Sequence, residues 1–140
     1  MDARRALWLT LALLIVANAF IAAFIFIQAD TRLTVAFLDV GQGDAILITG
    51  PTGHQVLIDG GRDRSVLREL GRQMSPFDRS IDVVIATHPD ADHIAGLSGV
   101  FERYKVGGYV SSGVENDTSQ THALVDAVEK EKGIQEVEAR

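Results

Sequence analysis

The sequence predicts a mixed α/β domain that follows a single long apolar helix. Three observations support this prediction. An apolar run covers residues 7–27, segments of strand-like alternation separated by glycine turns follow it, and later segments switch to helical spacing. Strands that come first as a meander and then alternate with helices are typical of a sheet with helices packed on it. The chain has 140 residues, so the part after the apolar run has the length of one domain.

The first predicted element is a helix over residues 7–27. Only Thr10 and Asn18 are polar within these 21 residues. As a helix, the run would be about 30 Å long, which matches the hydrocarbon core of a bilayer. We therefore predict a transmembrane anchor over residues 7–27, followed by a polar linker over residues 28–32.

The charges before the run predict its orientation. Arg4 and Arg5 lie within residues 1–6, so the positive-inside rule predicts a cytoplasmic start and a single-pass protein of the cell membrane with an extracytoplasmic domain. A cleaved signal peptide is an alternative, because Ala17-Asn18-Ala19 would serve as a cleavage site. The apolar run continues past that site to Ile27, which favours an uncleaved segment. A buried core helix is the third interpretation.

A meander of three strands is predicted next. Residues 33–40 alternate, and their β-branched content favours a strand that is buried on both faces. The glycines in residues 41–43 predict a tight turn. Residues 45–48 and 55–59 are the expected arms of a hairpin around the turn sequence at residues 49–53.

A helix is predicted after this meander. Ser65 can cap it, Val66, Leu67 and Leu70 form its apolar stripe, and Pro76 is expected to stop it.

Three arginines, Arg64, Arg68 and Arg72, recur at helical spacing on the other face of this helix. Such a row could face a phosphate, but a solvated helix face is the more common outcome. The isolated histidines His54 and His122 are expected at the surface.

Strand and helix alternate in the rest of the chain. Residues 81–86 form an apolar run that is typical of a buried strand, and a helix is predicted over residues 93–104. A strand over residues 106–110 follows. A further helix should end at Lys132-Gly133, before a last strand over residues 134–139.

The loop after the predicted buried strand carries the main functional signal. It contains His88, Asp90, Asp92 and His93. Two carboxylates this close would repel each other unless they were neutralised, so a bound divalent cation is the simplest explanation. The sequence has no cysteine, which restricts the ligands to nitrogen and oxygen and excludes disulfides and a thiol nucleophile.

Three segments of the chain resemble motifs of the metallo-β-lactamase superfamily. They are residues 37–45, 57–61 and 87–93. The last is similar to the metal-binding signature His-x-His-x-Asp-His, with aspartate in its second position. Together, the three segments resemble the exported domain of ComEC-type DNA-uptake proteins, and the resemblance covers residues 33–140.

This resemblance implies a fold and a metal site. The fold would be an αββα sandwich, and the site would hold two divalent metal ions, zinc or manganese, at the edge of its sheets. His88 and Asp90 would bind one ion, and Asp92 and His93 would bind the other. An aspartate in place of an imidazole favours manganese relative to zinc.

Three further aspartates receive roles from the same resemblance. Asp59 would support the metal loop by a hydrogen bond to a ligand, and the alternative is an ordinary aspartate in a turn at a strand end. Asp44 is expected near the site, and Asp39 is expected to be structural. Asp92 is assigned the catalytic role of orienting or deprotonating the attacking water.

The implied function is that of a membrane-anchored, metal-dependent hydrolase in which a metal-activated water is the nucleophile. Its substrate would be DNA or another phosphodiester, and competence-channel proteins would be its partners. From residue 28 onward the chain has 11 basic and 18 acidic residues, a net charge of −7, which is the wrong sign for a general nucleic-acid surface. A hydrolase of small esters, lactams or thioesters and a non-catalytic anchored module are the alternatives.

The chain also ends before the remaining ligands of the superfamily. Relatives supply these from a Thr-Gly-Asp turn and a His-His-Gly-Ser segment, and two ions need more ligands than one loop offers. We therefore expect an incomplete fragment, the N-terminal half of the sandwich, with a broad exposed apolar face and an unpaired sheet edge.

Overall fold

The computed structural model describes residues 2–28, 32–114, 116–131 and 133–139, and it divides the chain into two compact units. The first unit, Met1–Thr31, contains the helix α1, Ala3–Gln28. The length and composition of α1 would allow it to cross a membrane over Ala3–Phe24, although a signal sequence meets the same criterion. The helix predicted over residues 7–27 is thus present. Of the predicted linker, Gln28 ends α1, and residues 29–31 lie outside the described residues.

The second unit, Arg32–Arg140, contains one six-stranded sheet. Its strands are β1 Thr34–Phe37, β2 Ile46–Thr49, β3 Gln55–Ile58, β4 Ser80–Ala86, β5 Lys105–Ser111 and β6 Gln135–Glu138. They lie in the sheet in chain order. β1, β2 and β3 pair antiparallel, and β3 to β6 pair parallel.

Helices make the crossovers between the parallel strands, as parallel pairing requires. α2 spans Ser65–Gln73, α3 spans Ala91–Ile94, α4 spans Leu97–Arg103 and α5 spans Ser119–Lys130. The predicted mixed α/β class is confirmed.

One face of the sheet is buried under these helices. Leu47, Leu57, Val84 and Tyr109 are register partners across β2 to β5, so they share a face. All four are buried in one cluster with helical residues, which include Val66, Leu70, Leu97, Val100, Leu124 and Val128. This core fixes the strand ends that carry the functional residues.

The opposite face of the sheet carries an apolar row that runs across all six strands. The register partners in this row are Phe37, Ile46, Ile58, Ile85, Val110 and Val137. Phe37 is 80% exposed and Val137 is 54% exposed at the two sheet edges. The four inner residues of the row are half-buried, so the predicted exposed apolar face is confirmed only in part. A row of this extent is unusual on a solvated surface.

The prediction for the first strand is partly wrong. β1 ends at Phe37 instead of continuing to Val40, and Val35 is 48% exposed instead of buried on both faces. The alternating pattern identified a strand, but burial depends on its place in the sheet. β1 is an edge strand, and Val35 lies on the open face because it pairs with Ile48.

Two helix predictions also need correction. Ser65 is the first residue of α2 and does not cap it; its backbone N–H donates to the Asp63 carboxylate and its hydroxyl donates to the Val40 carbonyl. The helix predicted over residues 93–104 is divided into α3 and α4. Gly96 lies at this division against the Gly60 carbonyl, where a Cβ would overlap it.

The arginine row on α2 takes part in ion pairs. Arg68 and Arg72 both donate to the carboxylate of Glu69, which is only 8% exposed, and Arg64 donates to Glu102. Hydrogen bonds from Arg68, which has the larger effect, and from Arg72 lower the pKa of Glu69. The row is therefore paired within the domain.

Candidate metal centre

The metal loop lies at the carboxyl end of β4, beside the end of β3. Ile58 and Ile85 are register partners in these parallel strands, so Asp59 and Thr87 emerge next to each other. The carboxyl ends of parallel strands form an edge where polar side chains from separate strands converge. This topology brings the second and third of the resembling segments together.

Close backbone contacts hold the glycine turn of the first segment against this loop. A Cβ on Gly43 would overlap the carbonyl oxygen of Asp92, so only glycine fits there. The Gly61 amide donates to the Asp44 carbonyl at 3.0 Å, and the Gly60 amide donates to the His93 carbonyl at 2.7 Å. The three segments therefore form one assembly through their backbones.

Asp59 occupies the centre of this assembly. Its side chain is 4% exposed, and its backbone has a φ of +57°, a left-handed conformation that aspartate tolerates better than most residues. Its Oδ1 accepts from the Thr87 amide at 2.9 Å. Its Oδ2 accepts from the Thr87 hydroxyl at 2.6 Å and lies 2.9 Å from His93 Nδ1.

Three side chains form the tightest group of potential metal ligands in the described residues. Asp59, His88 and His93 each place one ligand atom within 4.8 Å of the other two. The imidazole rings of His88 and His93 have centroids 3.7 Å apart and are tilted by 47°. The Asp59 oxygens already contact three hydrogen-bond donors of the loop, an arrangement that suits the predicted supporting role of this carboxylate. Nitrogen donors beside carboxylates suit zinc and manganese.

The two loop aspartates do not belong to this group. Asp90 is exposed, and its Oδ2 is 3.7 Å from His88 Nε2. Asp92 is half-buried in the first turn of α3 and does not belong to the three-residue group. The predicted ligand roles of His88, Asp90, Asp92 and His93 stay predictions, as does the catalytic role of Asp92.

The remaining aspartates of the first segment contribute through their backbones. The Asp44 side chain is exposed, and its carbonyl accepts from Gly61 next to the site. Asp39 is exposed too, and its carbonyl accepts from the Arg68 guanidinium at 3.4 Å. The expected histidines outside the loop are at the surface: His54 pairs with Asp82, and His122 with Asp117.

A pocket beside His88 contains residues that the sequence did not single out. Tyr109 is buried in its wall, and burial, with smaller effects of Glu136 and Asp59, raises the pKa of Tyr109 to about 12. Its hydroxyl is therefore protonated at neutral pH. The other lining residues include Ser111, Thr121, Leu124, Glu136 and Glu138. Their position at the ends of β5 and β6 follows from the strand order, which sequence periodicity does not reveal.

Residues 38–136 match the model of a protein family described as the metallo-beta-lactamase superfamily. A search of curated proteins finds no match.

Several solved metallo-beta-lactamases are similar to part of this chain. The Rm3 metallo-beta-lactamase is 23% identical with a TM-score of 0.48, over 61% of this chain and 33% of that chain. A mutant metallo-beta-lactamase from Cronobacter sakazakii is 20% identical with a TM-score of 0.48, over 56% and 31% of the two chains. SMB-1, solved with 2-mercaptoethanesulfonate, is 20% identical with a TM-score of 0.46, over 54% and 29%. The matched part therefore spans about a third of each of these proteins.

Proposed function

Because this chain belongs to the metallo-beta-lactamase superfamily, we propose that it acts as a membrane-anchored, metal-dependent hydrolase of phosphodiesters. The observation that supports this most is the group formed by Asp59, His88 and His93 at the carboxyl ends of β3 and β4. A buried carboxylate that orients an imidazole is the usual support of a metal-ligating histidine.

The residues of the metal loop and Asp59 would have separate roles. His88, Asp90, Asp92 and His93 would supply part of the ligand set of two divalent ions, zinc or manganese. Bound ions of this kind supply an activated water as the nucleophile and a Lewis acid for the substrate oxygen. Asp92 would orient that water and accept its proton, and Asp59 keeps His93 in place through the 2.9 Å contact with Nδ1.

Arg62 supports a phosphodiester substrate. It follows Gly61 directly, its amide donates to the Gln42 carbonyl, and its guanidinium donates to the Gln42 side chain at 2.8 Å. These bonds hold an exposed cation on the glycine turn that contacts the metal loop. Guanidinium groups bind phosphate oxygens strongly. The likeness of the three segments to ComEC-type proteins favours DNA as the phosphodiester and competence-channel proteins as partners.

The test compares four histidine variants of the full chain in detergent micelles. With manganese or zinc, we expect hydrolysis of bis(p-nitrophenyl) phosphate, and we expect His88→Ala and His93→Ala to lower the rate by about 100-fold or more. His54→Ala and His122→Ala are matched controls at exposed histidines and should retain the rate. Equal rates in all four variants, or no metal uptake by the parent chain, would contradict the proposal. Failure to bind metal would instead favour a non-catalytic module.

The membrane topology can be tested independently. Because the sequence has no cysteine, Asp2→Cys and Asp117→Cys each introduce a single thiol. We expect a membrane-impermeant maleimide to label the thiol of Asp117→Cys in intact cells and to leave that of Asp2→Cys unlabelled until the cells are lysed. The reverse pattern, or recovery of the chain from the soluble fraction, would contradict an anchored extracytoplasmic domain.

The pocket beside His88 favours a second candidate, the hydrolysis of a small ester, lactam or thioester. Glu136 and Glu138 in its wall would repel a polyanion, whereas Ser111, Thr121 and Tyr109 offer hydrogen bonds to a neutral group. An assay with p-nitrophenyl acetate beside the phosphodiester separates the two candidates. A higher kcat/KM for the ester would favour the second.

A further inference from the structure

The hydroxyl of Thr87 lies between two functional side chains of the metal loop. Its Oγ1 is 2.6 Å from Asp59 Oδ2 and 2.9 Å from His88 Nδ1. The Thr87 amide also donates to Asp59 Oδ1 at 2.9 Å. Asp59 therefore fixes Thr87 at two points, and Thr87 presents its oxygen to His88 in a defined position.

The number of protons available determines the direction of these hydrogen bonds. A hydroxyl has one proton to donate, and an ionised carboxylate can only accept. The Thr87 hydroxyl uses its one proton in the short hydrogen bond that it donates to Asp59. Toward His88, Oγ1 can therefore only accept a hydrogen bond. The Nδ1 atom of His88 must then carry the imidazole proton, which leaves Nε2 with a free lone pair.

We propose that Thr87 is a positioning residue that fixes the tautomer of His88, so that Nε2 is the atom available to a divalent cation. The hydrogen bonds alone define the tautomer, and its purpose, metal binding, rests on the proposed metal site. Among the described residues, the ion-pair contact of Nε2 is with Asp90 Oδ2 at 3.7 Å, which is beyond hydrogen-bond distance.

One buried carboxylate thus controls both imidazoles. Asp59 Oδ2 lies 2.9 Å from His93 Nδ1 and accepts a hydrogen bond from it, and it acts on His88 through the Thr87 hydroxyl. Both rings are held in the same tautomer, with Nε2 free. Their centroids are 3.7 Å apart, so the two free nitrogens belong to adjacent rings of one site.

Two substitutions of Thr87 distinguish the effect of its hydroxyl from the effect of its side-chain shape. Thr87→Val keeps the branched shape and removes the hydroxyl, whereas Thr87→Ser keeps the hydroxyl. Thr49→Val makes the same change in β2, between Thr34 and Gln55, and is the matched control. A purely structural role of Thr87 would show in the stability of the fold and would leave the His88 tautomer unchanged.

The decisive measurement is the tautomer of His88, read from the ring nitrogen shifts of the metal-free full chain in micelles by long-range proton–nitrogen NMR. We expect an unprotonated Nε2 in the parent, in Thr49→Val and in Thr87→Ser, and a mixture of tautomers in Thr87→Val. Zinc affinity, measured by competition with a chromophoric chelator, should fall about tenfold in Thr87→Val and recover in Thr87→Ser.

Two results would overturn the assignment. One is a parent chain in which His88 carries its proton on Nε2, which needs no variant to fold. The other is a folded Thr87→Val variant whose His88 tautomer and zinc affinity both equal those of the parent. Since the tautomer is measured without metal or substrate, failure to hydrolyse phosphodiesters would count against the proposed function and leave this assignment standing.

Discussion

Two histidine–aspartate pairs flank the same two strands at opposite ends. Asp59 follows the carboxyl end of β3 and His93 lies in α3, in the loop region after the carboxyl end of β4, with Nδ1 and Oδ2 2.9 Å apart. His54 precedes β3, and its Nδ1 is 3.0 Å from Oδ1 of Asp82 near the start of β4. The two contacts have nearly the same length and join the same kinds of atoms.

Burial distinguishes the pairs, although each aspartate has a further donor: Thr87 for Asp59, and the Gln55 amide at 2.6 Å for Asp82. The side chains of His93 and Asp59 are 13% and 4% exposed, whereas those of His54 and Asp82 are 74% and 47% exposed. Asp59 also accepts two hydrogen bonds from Thr87, so its pair belongs to a network that places a second imidazole. A hydrogen-bond length alone therefore does not identify a functional pair. The environment of the pair does, because water competes with an exposed contact.

The largest expected difference between the two ends of the β3–β4 pair is the loss of unfolding free energy when a Cβ is added to a closely packed glycine. Gly43 meets the Asp92 carbonyl at the metal end, where a Cβ would overlap it, while a Cβ on Gly107 would lie 2.9 Å from the Asp82 carbonyl at the other end. We expect Gly43→Ala to lower the free energy of unfolding by about 4 kcal/mol or more, or to prevent folding, and Gly107→Ala to cost about 1–3 kcal/mol.

Urea unfolding followed by circular dichroism measures both costs. Gly71→Ala in α2 is the control, because a Cβ there meets nothing within 4 Å, and we expect it to stabilise the chain by about 0.5–1 kcal/mol. A Gly43→Ala variant as stable as the parent would show that the glycine turn does not hold the metal loop.

The two carboxylates should differ next in their effect on metal binding. Asp59→Asn removes the acceptor shared by Thr87 and His93, so we expect zinc affinity to fall about 10–100-fold. The free energy of unfolding should fall by about 1–3 kcal/mol, because the buried donors lose a partner. Asp82→Asn, the same change at the exposed pair, should leave zinc affinity unchanged. Equal losses of affinity in both variants would remove the distinction between the two ends.

The exposed pair has its own signature in the pH dependence of stability. A hydrogen bond from the Gln55 amide, and then one from His54, lower the pKa of Asp82 below its ordinary value of 3.8. A carboxyl whose pKa is lower in the folded chain stabilises the fold above the unfolded value, and this contribution disappears as the pH falls through the folded pKa.

We therefore expect Asp82→Asn to lower the free energy of unfolding by under about 1 kcal/mol at pH 6, because the pair is half-exposed. The difference between variant and parent should be complete above the unfolded pKa of 3.8 and should shrink as the pH falls below it. Urea unfolding at several pH values measures it. A difference that stays constant across this range would contradict the role of the Asp82 charge.

The sequence predicts the parts of this structure that depend on local pattern. Alternation and turn glycines indicated the strands, and the apolar run at residues 81–86 placed the metal loop at a strand end. Burial of β1 was predicted wrongly, because an alternating pattern cannot reveal that a strand lies at a sheet edge. The division between α3 and α4 was missed because its cause, contact of Gly96 with Gly60, joins residues far apart in sequence.

The site shows the same limit at the level of side chains. The histidines and aspartates of the loop were visible because their residue types carry metal chemistry. Thr87 lay inside the same motif and received no role, since nothing in residue type or spacing tells whether a hydroxyl faces an aspartate from another strand. The pocket residue Tyr109 was missed for a related reason: it comes beside the loop only through the pairing of β4 with β5.

A third pair provides the smallest expected effect and the sharpest test of the comparison. His122 Nε2 is 2.7 Å from Asp117 Oδ1, the shortest of the three contacts, yet the side chains are 71% and 96% exposed. If contact length determined the energy, Asp117→Asn would cost more than Asp59→Asn. Because solvent screens the exposed pair, we expect a change in the free energy of unfolding of under about 0.5 kcal/mol. Urea unfolding of the Asn variants at positions 59, 82 and 117 should rank their costs in that order, the order of burial, and any other ranking would reject burial as the criterion.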